Sequence, residues 1–315
     1  MNGHPVGPWA RRVFLANVVA QAGIVVTGGV VRLTGSGLGC PTWPQCAPGS
    51  YVPTPHQAQG YHKYIEFSNR TLTFVVFLTV AAALIMAWRQ VPRRRPLVLL
   101  AAVGVLGVVA QAVLGGITVL TGLNPYTVAA HFLLSMVLIA AAVALYERGN
   151  EPGDGPVSSL VRSEIVWLSR GVLALAGLVL VLGTVVTGSG PHSGDAVTPA
   201  RFGLDPRTMS WLHADVVLIF IGTTLTLLVA LRLTDGPLAA RRRVVILLAV
   251  SLSQGAVGYL QYFTGLPEAI VAVHLLGATL VWISTLRIPF ALRQRAVVPT
   301  VPPTPDADQP ALRTA

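Results

Sequence analysis

The chain has 315 residues, a mean hydropathy of +0.66 and only 11% charged side chains, too apolar a composition for a soluble domain of that length. Its formal charge of +10 does not point to nucleic acid, because the basic residues fall in short clusters between long apolar runs. These features place it in a membrane.

Runs of about 20 apolar residues, coiled as helix, match the roughly 30 Å hydrocarbon core of a bilayer. The first predicted helix covers 12–31. It has no small-residue cleavage site and leads into further spans, so it is read as a span rather than a leader. It ends in "VVRLTGSGLGCPTWPQC" (30–46), a loop with both cysteines of the chain. Cys40 and Cys46 enclose five residues, two of them proline, a spacing that can close a small ring. Such a pair is either a loop staple or a redox-active couple, and without a nearby histidine pair it makes no convincing zinc site.

Helix two, 67–88, is entered through "IEFSNR", which sets Glu66 three residues before Asn69 on one helical face, with Arg70 next. Helices three and four, 97–120 and 127–146, carry Gln111 and His131. A polar linker, 147–168, precedes helices five to eight at 169–188, 209–231, 244–264 and 269–290, with His213, Gln254 and His274 in the last three. The segment 293–315 is expected to be a disordered tail, rich in proline and alanine from Val297 onward. Most arginines, including Arg11, Arg12, Arg93–Arg95 and Arg241–Arg243, lie on one side of these spans, while the other keeps only Arg32, Lys63, Arg70, Arg201 and Arg207. The positive-inside rule then puts both termini in the cytoplasm and the cysteine loop outside a multi-pass cell-membrane protein.

The chain repeats itself. "QAVLGGITVLTGLNPYTVAAH" (111–131) aligns without gaps on "QGAVGYLQYFTGLPEAIVAVH" (254–274), an offset of 143 residues that pairs Gln111 with Gln254 and His131 with His274. A similar offset pairs "VVRLTGSG" (30–37) with "VVTGSG" (185–190) and Asn69 with His213. The expected fold is therefore an all-α membrane protein of eight transmembrane helices in two four-helix halves, 1–146 and 169–292. Each half has an even number of spans, so the pseudo-twofold axis should run along the membrane normal.

An ionisable side chain inside a span is expensive and marks a functional site by default. His131, His213 and His274 lie one to two turns from the outer ends of their helices, at one depth. Histidines facing each other across a four-helix bundle are a common way to hold haem. His213 and His274 form the natural axial pair of the second half, whereas the first half offers His131 and Asn69. Glu66, beside the site that lacks one histidine, is a candidate acid, base or proton carrier. Arg70 is a candidate salt-bridge partner or haem-propionate ligand. Gln111 and Gln254 read as interhelical hydrogen-bonding residues, and His56 and His62 lie in the outer loop before helix two.

With "VVRLTGSGLGCPTWPQC", "IEFSNR", "AAH" in helix four, "TGSGPHSGD" after helix five, "WLH" in helix six and "AVH" in helix eight, the chain resembles the haem A synthase family, of the CtaA type with a cysteine pair in the first extracellular loop. The resemblance implies oxidation of a methyl group of haem O to the formyl group of haem A by successive hydroxylations, for assembly of aa3-type cytochrome c oxidase. It implies that His213 and His274 ligate haem b, that His131, Asn69 and Arg70 belong to the haem O site, that Glu66 assists the chemistry, and that Cys40 and Cys46 form a disulfide near its outer mouth. Partners implied are haem O, a haem O synthase, oxidase assembly factors and membrane lipid, with no nucleic acid and with homo-oligomerisation left open. Many family members have histidine where this chain has Asn69. Asparagine is a poor iron ligand, so the substrate iron is expected to rest on His131 alone or to take water, His56 or His62 opposite. Two rivals are a non-catalytic di-haem cytochrome fed by quinol, which does not account for the unequal halves, and a four-plus-four transporter, which would place its polar groups at the midplane.

Overall fold

The computed structural model describes residues 5–195 and 200–296. The elements in order are α1 (Pro8–Leu33), α2 (His62–Trp88), α3 (Arg95–Leu120), α4 (Pro125–Asn150), β1 (Val157–Ser159), α5 (Ser163–Ser189), α6 (Pro206–Leu233), α7 (Leu238–Phe263), α8 (Glu268–Ala291) and β2 (Arg293–Arg295). All eight helices are long and apolar enough to cross a membrane. They outrun the expected apolar spans because hydrogen bonding continues into polar flanks. A 26-residue helix such as α1 reaches about 39 Å, past the hydrocarbon core and into the headgroups.

Local sequence sets the ends. Proline opens α1, α3, α4 and α6, where its missing N–H costs nothing. Asn124 and Asp205 cap α4 and α6, accepting hydrogen bonds from the Tyr126 and Thr208 N–H groups at 3.0 and 2.8 Å. The repeated Thr-Gly-Leu is a helix stop: Gly122 and Gly265 take φ of 62° and 80°, and the Leu123 and Leu266 N–H groups reach back to the carbonyls of Thr118 and Gln261 at 2.9 and 2.8 Å. That part of the repeat is architecture.

Each set of four helices forms a ring, α1–α2–α3–α4 closed by α1 on α4, and α5–α6–α7–α8 closed by α5 on α8. The two bundles meet through α4 on α8, flanked by α1 on α8 and by α4 on α5. A twofold axis exchanging α1 with α5 and α4 with α8 maps these contacts onto one another, as the repeat predicts. Gly29 lets α8 approach closely, since a Cβ there would overlap the side chain of Leu275, and Trp282 Nε1 of α8 donates to the Met136 carbonyl of α4 at 2.9 Å.

The ends of this seam are tied by charge. At the end that carries the termini, Glu147 of α4 is buried and accepts from Arg243 Nη2 of α7 at 2.8 Å and Arg287 Nε of α8 at 2.6 Å. Arg94 and Arg148 hold Asp154 at 3.0 and 2.9 Å. Burial opposes ionisation of Asp154, and the hydrogen bonds and charges of these two arginines outweigh it, so the carboxyl sits below its ordinary value. The expected disordered tail starts too early. Residues 293–295 pair antiparallel with 157–159, and Arg293 and Arg295 bind Glu151 at 2.9 and 3.0 Å, so charge and backbone pairing order a segment whose composition reads as polar coil. Residues 297–315, the rest of that expected tail, lie outside the described residues.

The apolar cores are off-centre. In the first bundle Phe14, Ala83, Ala87, Leu97, Ala101 and Leu145 pack near the terminal end; in the second, Val172, Leu227, Leu231, Val244, Leu247 and Ile288 do the same. The histidines occupy the opposite end.

Candidate functional site

Asn69, His131, His213 and His274 stand at matching positions on α2, α4, α6 and α8, and each faces a glycine of the preceding helix. A Cβ would lie 3.8 Å from Asn69 Nδ2 if added to Gly28, and from Cε1 of His131, His213 and His274 it would lie 3.2, 3.5 and 3.2 Å if added to Gly115, Gly183 and Gly258. At Gly115 and Gly258 the missing side chain lets the ring lie close against the neighbouring helix, whereas at Gly28 and Gly183 a Cβ would make ordinary contact. Gln111 Nε2 donates to the His131 carbonyl at 3.0 Å and to Ser135 Oγ at 2.6 Å, and Gln254 Nε2 donates to the His274 carbonyl. These glutamines therefore hold the backbones of the histidines and leave the rings untouched.

The rings have few partners of their own. Nδ1 of His131, His213 and His274 and Oδ1 of Asn69 are buried and make no hydrogen bond of good geometry among the described residues, although the Val179 carbonyl interacts weakly with His213. Around them few side chains are buried: the first buried residue of α6 is Phe220, the last of α7 is Ser251 and the first of α8 is Thr279. In the first bundle α2 has no buried residue between Glu66 and Val76, and α4 none between Pro125 and Met136.

Imidazoles whose Nδ1 atoms are buried without partners among the described residues, with glycines beside them, fit a flat macrocycle whose iron takes nitrogen ligands. The second bundle offers two imidazoles for that purpose and the first offers one. Among the described residues no three His, Cys, Asp or Glu side chains converge as they would on a single bare ion.

The first bundle also has a roof. Cys40 and Cys46 are joined in a disulfide with their Cα atoms 4.3 Å apart, which closes the ring that the spacing allows. The Cys40 N–H donates to Glu66 Oε2 at 2.6 Å, and Arg70 donates to Glu66 Oε1 from Nη2 at 2.6 Å and from Nε at 3.0 Å. Arg70 also binds the carbonyls of Cys40, Thr42 and Gln45 at 2.8, 3.1 and 3.2 Å, so each of its nitrogens is engaged. Glu66, in the second turn of α2, is 5% exposed. The chain thus folds the disulfide loop down onto a carboxylate–guanidinium pair set one turn above Asn69. Trp43 lies flat on Gly116 of α3, where a Cβ would strike its ring at 2.4 Å, and Gly39 passes as closely over the His62 carbonyl.

Of the expected site residues, the structure brings Glu66, Arg70, Cys40 and Cys46 into one hydrogen-bonded unit, and sets His213 and His274 at matching positions on α6 and α8, each against a glycine of the preceding helix. Arg70 takes the salt-bridge role. His62 Nδ1 is paired with Ser36 Oγ at 2.8 Å, and His56 is exposed in the loop. Three features were missed. Lys63, 3% exposed, fastens the loop by donating to the Thr54 and Pro55 carbonyls at 2.6 and 3.1 Å. Arg32 reaches across the seam to the Thr187 and His192 carbonyls at 2.8 and 2.5 Å. The glycines facing Asn69 and the three histidine rings were visible only in part, as the Gly115–Gly258 match within the repeat.

The COX15-CtaA family model, described as cytochrome oxidase assembly protein, matches residues 11–286. Among curated proteins, the chain is 34% identical over 135 residues to a protein named heme A synthase from Lysinibacillus sphaericus, covering 42% of each chain. It is 31% identical over 154 residues to one of the same name from Alkalihalophilus pseudofirmus, covering 46% of this chain and 50% of that one. A third of that name, from Geobacillus kaustophilus, is 35% identical over 109 residues, 34% of this chain and 32% of its own. The chain thus spans half or less of the length of these relatives.

Proposed function

The chain belongs to the COX15-CtaA family of cytochrome oxidase assembly proteins, and on that premise we propose that it is a haem A synthase, oxidising a methyl group of haem O to the formyl group of haem A. The relatives that share its sequence in part carry that name. The observation that carries the reading is the inequality of the halves: two imidazoles in one bundle, and in the other a single imidazole beneath a roofed carboxylate.

In this reading His213 and His274 hold a resident haem b, and His131 holds the haem O whose methyl group reacts. When bound, the haem groups would supply the redox chemistry that takes the methyl group to the formyl level. Glu66 is positioned by the Cys40 N–H and by Arg70, and handles a proton at its carboxylate at the upper edge of the first bundle. Arg70 positions Glu66 and the roof together. Asn69 offers an amide where the second half has an imidazole, so this bundle would supply one strong nitrogen ligand, His131, where the second supplies two. The disulfide loop limits water at that mouth. The end carrying the termini and most arginines faces the cytoplasm, and the disulfide end faces outside.

The test is to express the chain in cells that make haem O and to identify extracted haems by chromatography and mass. The expected result is haem A or its hydroxylated precursor only when the chain is present. Haem b retained by the purified protein with haem O unchanged, in a host supplying a working electron donor, overturns the reading in favour of an electron-transferring cytochrome.

A further inference from the structure

At the end opposite the histidines the molecule has an open cavity of about 720 Å³ between the two bundles. Arg11 and Arg12 of α1, Arg243 of α7 and Arg287 of α8 line it, with Glu147 of α4 as the one carboxylate. Both oxygens of Glu147 are taken by Arg243 and Arg287, so the acid does not face the cavity as a free anion. Among the described residues the side chains of Arg11 and Arg12 have no ion pair or hydrogen bond, and Arg12 lies 5.0 Å over the ring of Trp9. Four guanidinium groups against one carboxylate, drawn from both bundles, are more positive charge than the seam requires for its own neutrality.

We propose that this cavity binds the phosphate headgroup of an anionic phospholipid, which bridges the two bundles at the terminal end. Guanidinium forks match phosphate oxygens in pairs, and basic clefts between transmembrane helices at this level of a bilayer suit anionic lipid. A free anion is the poorer occupant, because the cavity continues into an apolar track. Leu15 lines it and is 46% exposed, Val19 follows one turn along the same face of α1 at 62%, and Trp9, 70% exposed, lies under Arg12. A headgroup seated on the arginines has its acyl chains on that track. The inference is independent of the haem reading, since none of these residues belongs to the histidine sites.

The test uses the full chain in a neutral detergent, with native mass spectrometry counting retained lipid from an equimolar mixture of phosphatidylglycerol and phosphatidylcholine. The wild-type protein is expected to retain one phosphatidylglycerol in preference. The Arg11→Gln, Arg12→Gln double variant is expected to bind it about thirtyfold more weakly, at roughly a factor of five per arginine near the surface. Arg242→Gln, which removes an exposed arginine of α7 outside the cavity, is expected to leave retention unchanged. Among the described residues Arg11 and Arg12 make no ion pair or hydrogen bond, and Arg12 contacts only the ring of Trp9 one turn away on α1, so folding of the double variant is expected to match wild type, checked by its helical circular dichroism. Equal retention by the double variant, equal loss in Arg242→Gln, no preference for phosphatidylglycerol, or displacement by millimolar glycerol phosphate would each overturn the proposal, the last by showing a site for free anions.

Discussion

In the second bundle the two matched positions on α6 and α8 are His213 and His274; in the first, the equivalent positions on α2 and α4 are Asn69 and His131, beneath a disulfide loop bonded to Glu66 and Arg70. The supporting parts are the same. Gln111 and Gln254 fix the histidine backbones alike, and Gly115 and Gly258 give the rings the same 3.2 Å clearance. A duplicated scaffold has therefore kept its means of positioning a ring while changing what stands opposite that ring. Two imidazoles suit a group that stays. One imidazole, an amide and a nearby carboxylate suit a group that reacts and leaves.

The largest effect that can break this comparison comes from the histidines themselves. His213→Ala and His274→Ala are each expected to strip haem b from the purified protein and to lower haem A formation at least about a hundredfold. His131→Ala is expected to abolish haem A formation to a similar degree and yet retain haem b. Optical spectra of the purified variants decide the matter, and loss of the same haem from all three would show that the bundles share one site.

Next in size is Glu66→Gln. It keeps an acceptor for the Cys40 N–H but removes the charge beside Arg70, and proton handling by a positioned side chain contributes about 10²–10⁴-fold. Turnover of haem O is expected to fall by about a hundredfold with haem b content unchanged. A fall in haem b to match would mean that Glu66 supports the fold and does not serve the first bundle alone.

A smaller effect is expected from Cys40→Ser with Cys46→Ser. Closing so short a loop contributes about 2 kcal/mol by chain entropy, and Arg70, Lys63 and Trp43 still hold the loop. Cleavage between residues 41 and 57 by limited proteolysis is expected to quicken, turnover to drop only severalfold, and the second bundle to be unaffected. Unchanged proteolysis would show that the hydrogen bonds alone maintain the roof.

The eight spans, their pairing into halves and the three histidines at one depth were legible because hydropathy and a gapless repeat are local, additive signals. The disulfide was legible as a possibility, since five intervening residues permit a ring. Less legible were contacts made by residues whose type is ordinary for their place. Arg32 and Lys63 read as solvated charges beside a membrane, and only the fold turns them onto backbone carbonyls. Arg293 and Arg295 read as the start of a coil, because their partner Glu151 is 142 and 144 residues away. Glu147 was hidden for the same reason, buried by arginines from α7 and α8 that no local pattern connects to it. In the candidate site the glycines that face Asn69 and the three histidines were not readable, since an apolar helix carries glycines for several reasons.

The finest test of the comparison uses those glycines as a matched pair. Gly115→Ala and Gly258→Ala put the same methyl group 3.2 Å from the same ring atom, so any packing penalty should be nearly equal in the two bundles. Alanine is favoured over glycine in a helix by about 1 kcal/mol, which offsets a small displacement of the ring, and both variants are expected to fold with melting temperatures within a few degrees of wild type. Their functional signatures should then separate. On the proposed reading, Gly258→Ala displaces a resident-haem ligand and is expected to shift that haem's spectrum with little change in the KM for haem O, whereas Gly115→Ala displaces the substrate ligand and is expected to raise that KM a few-fold while leaving the resident spectrum alone. Identical signatures from the two variants would mean that the bundles do one job twice, and that the difference between Asn69 and His213 has no functional consequence.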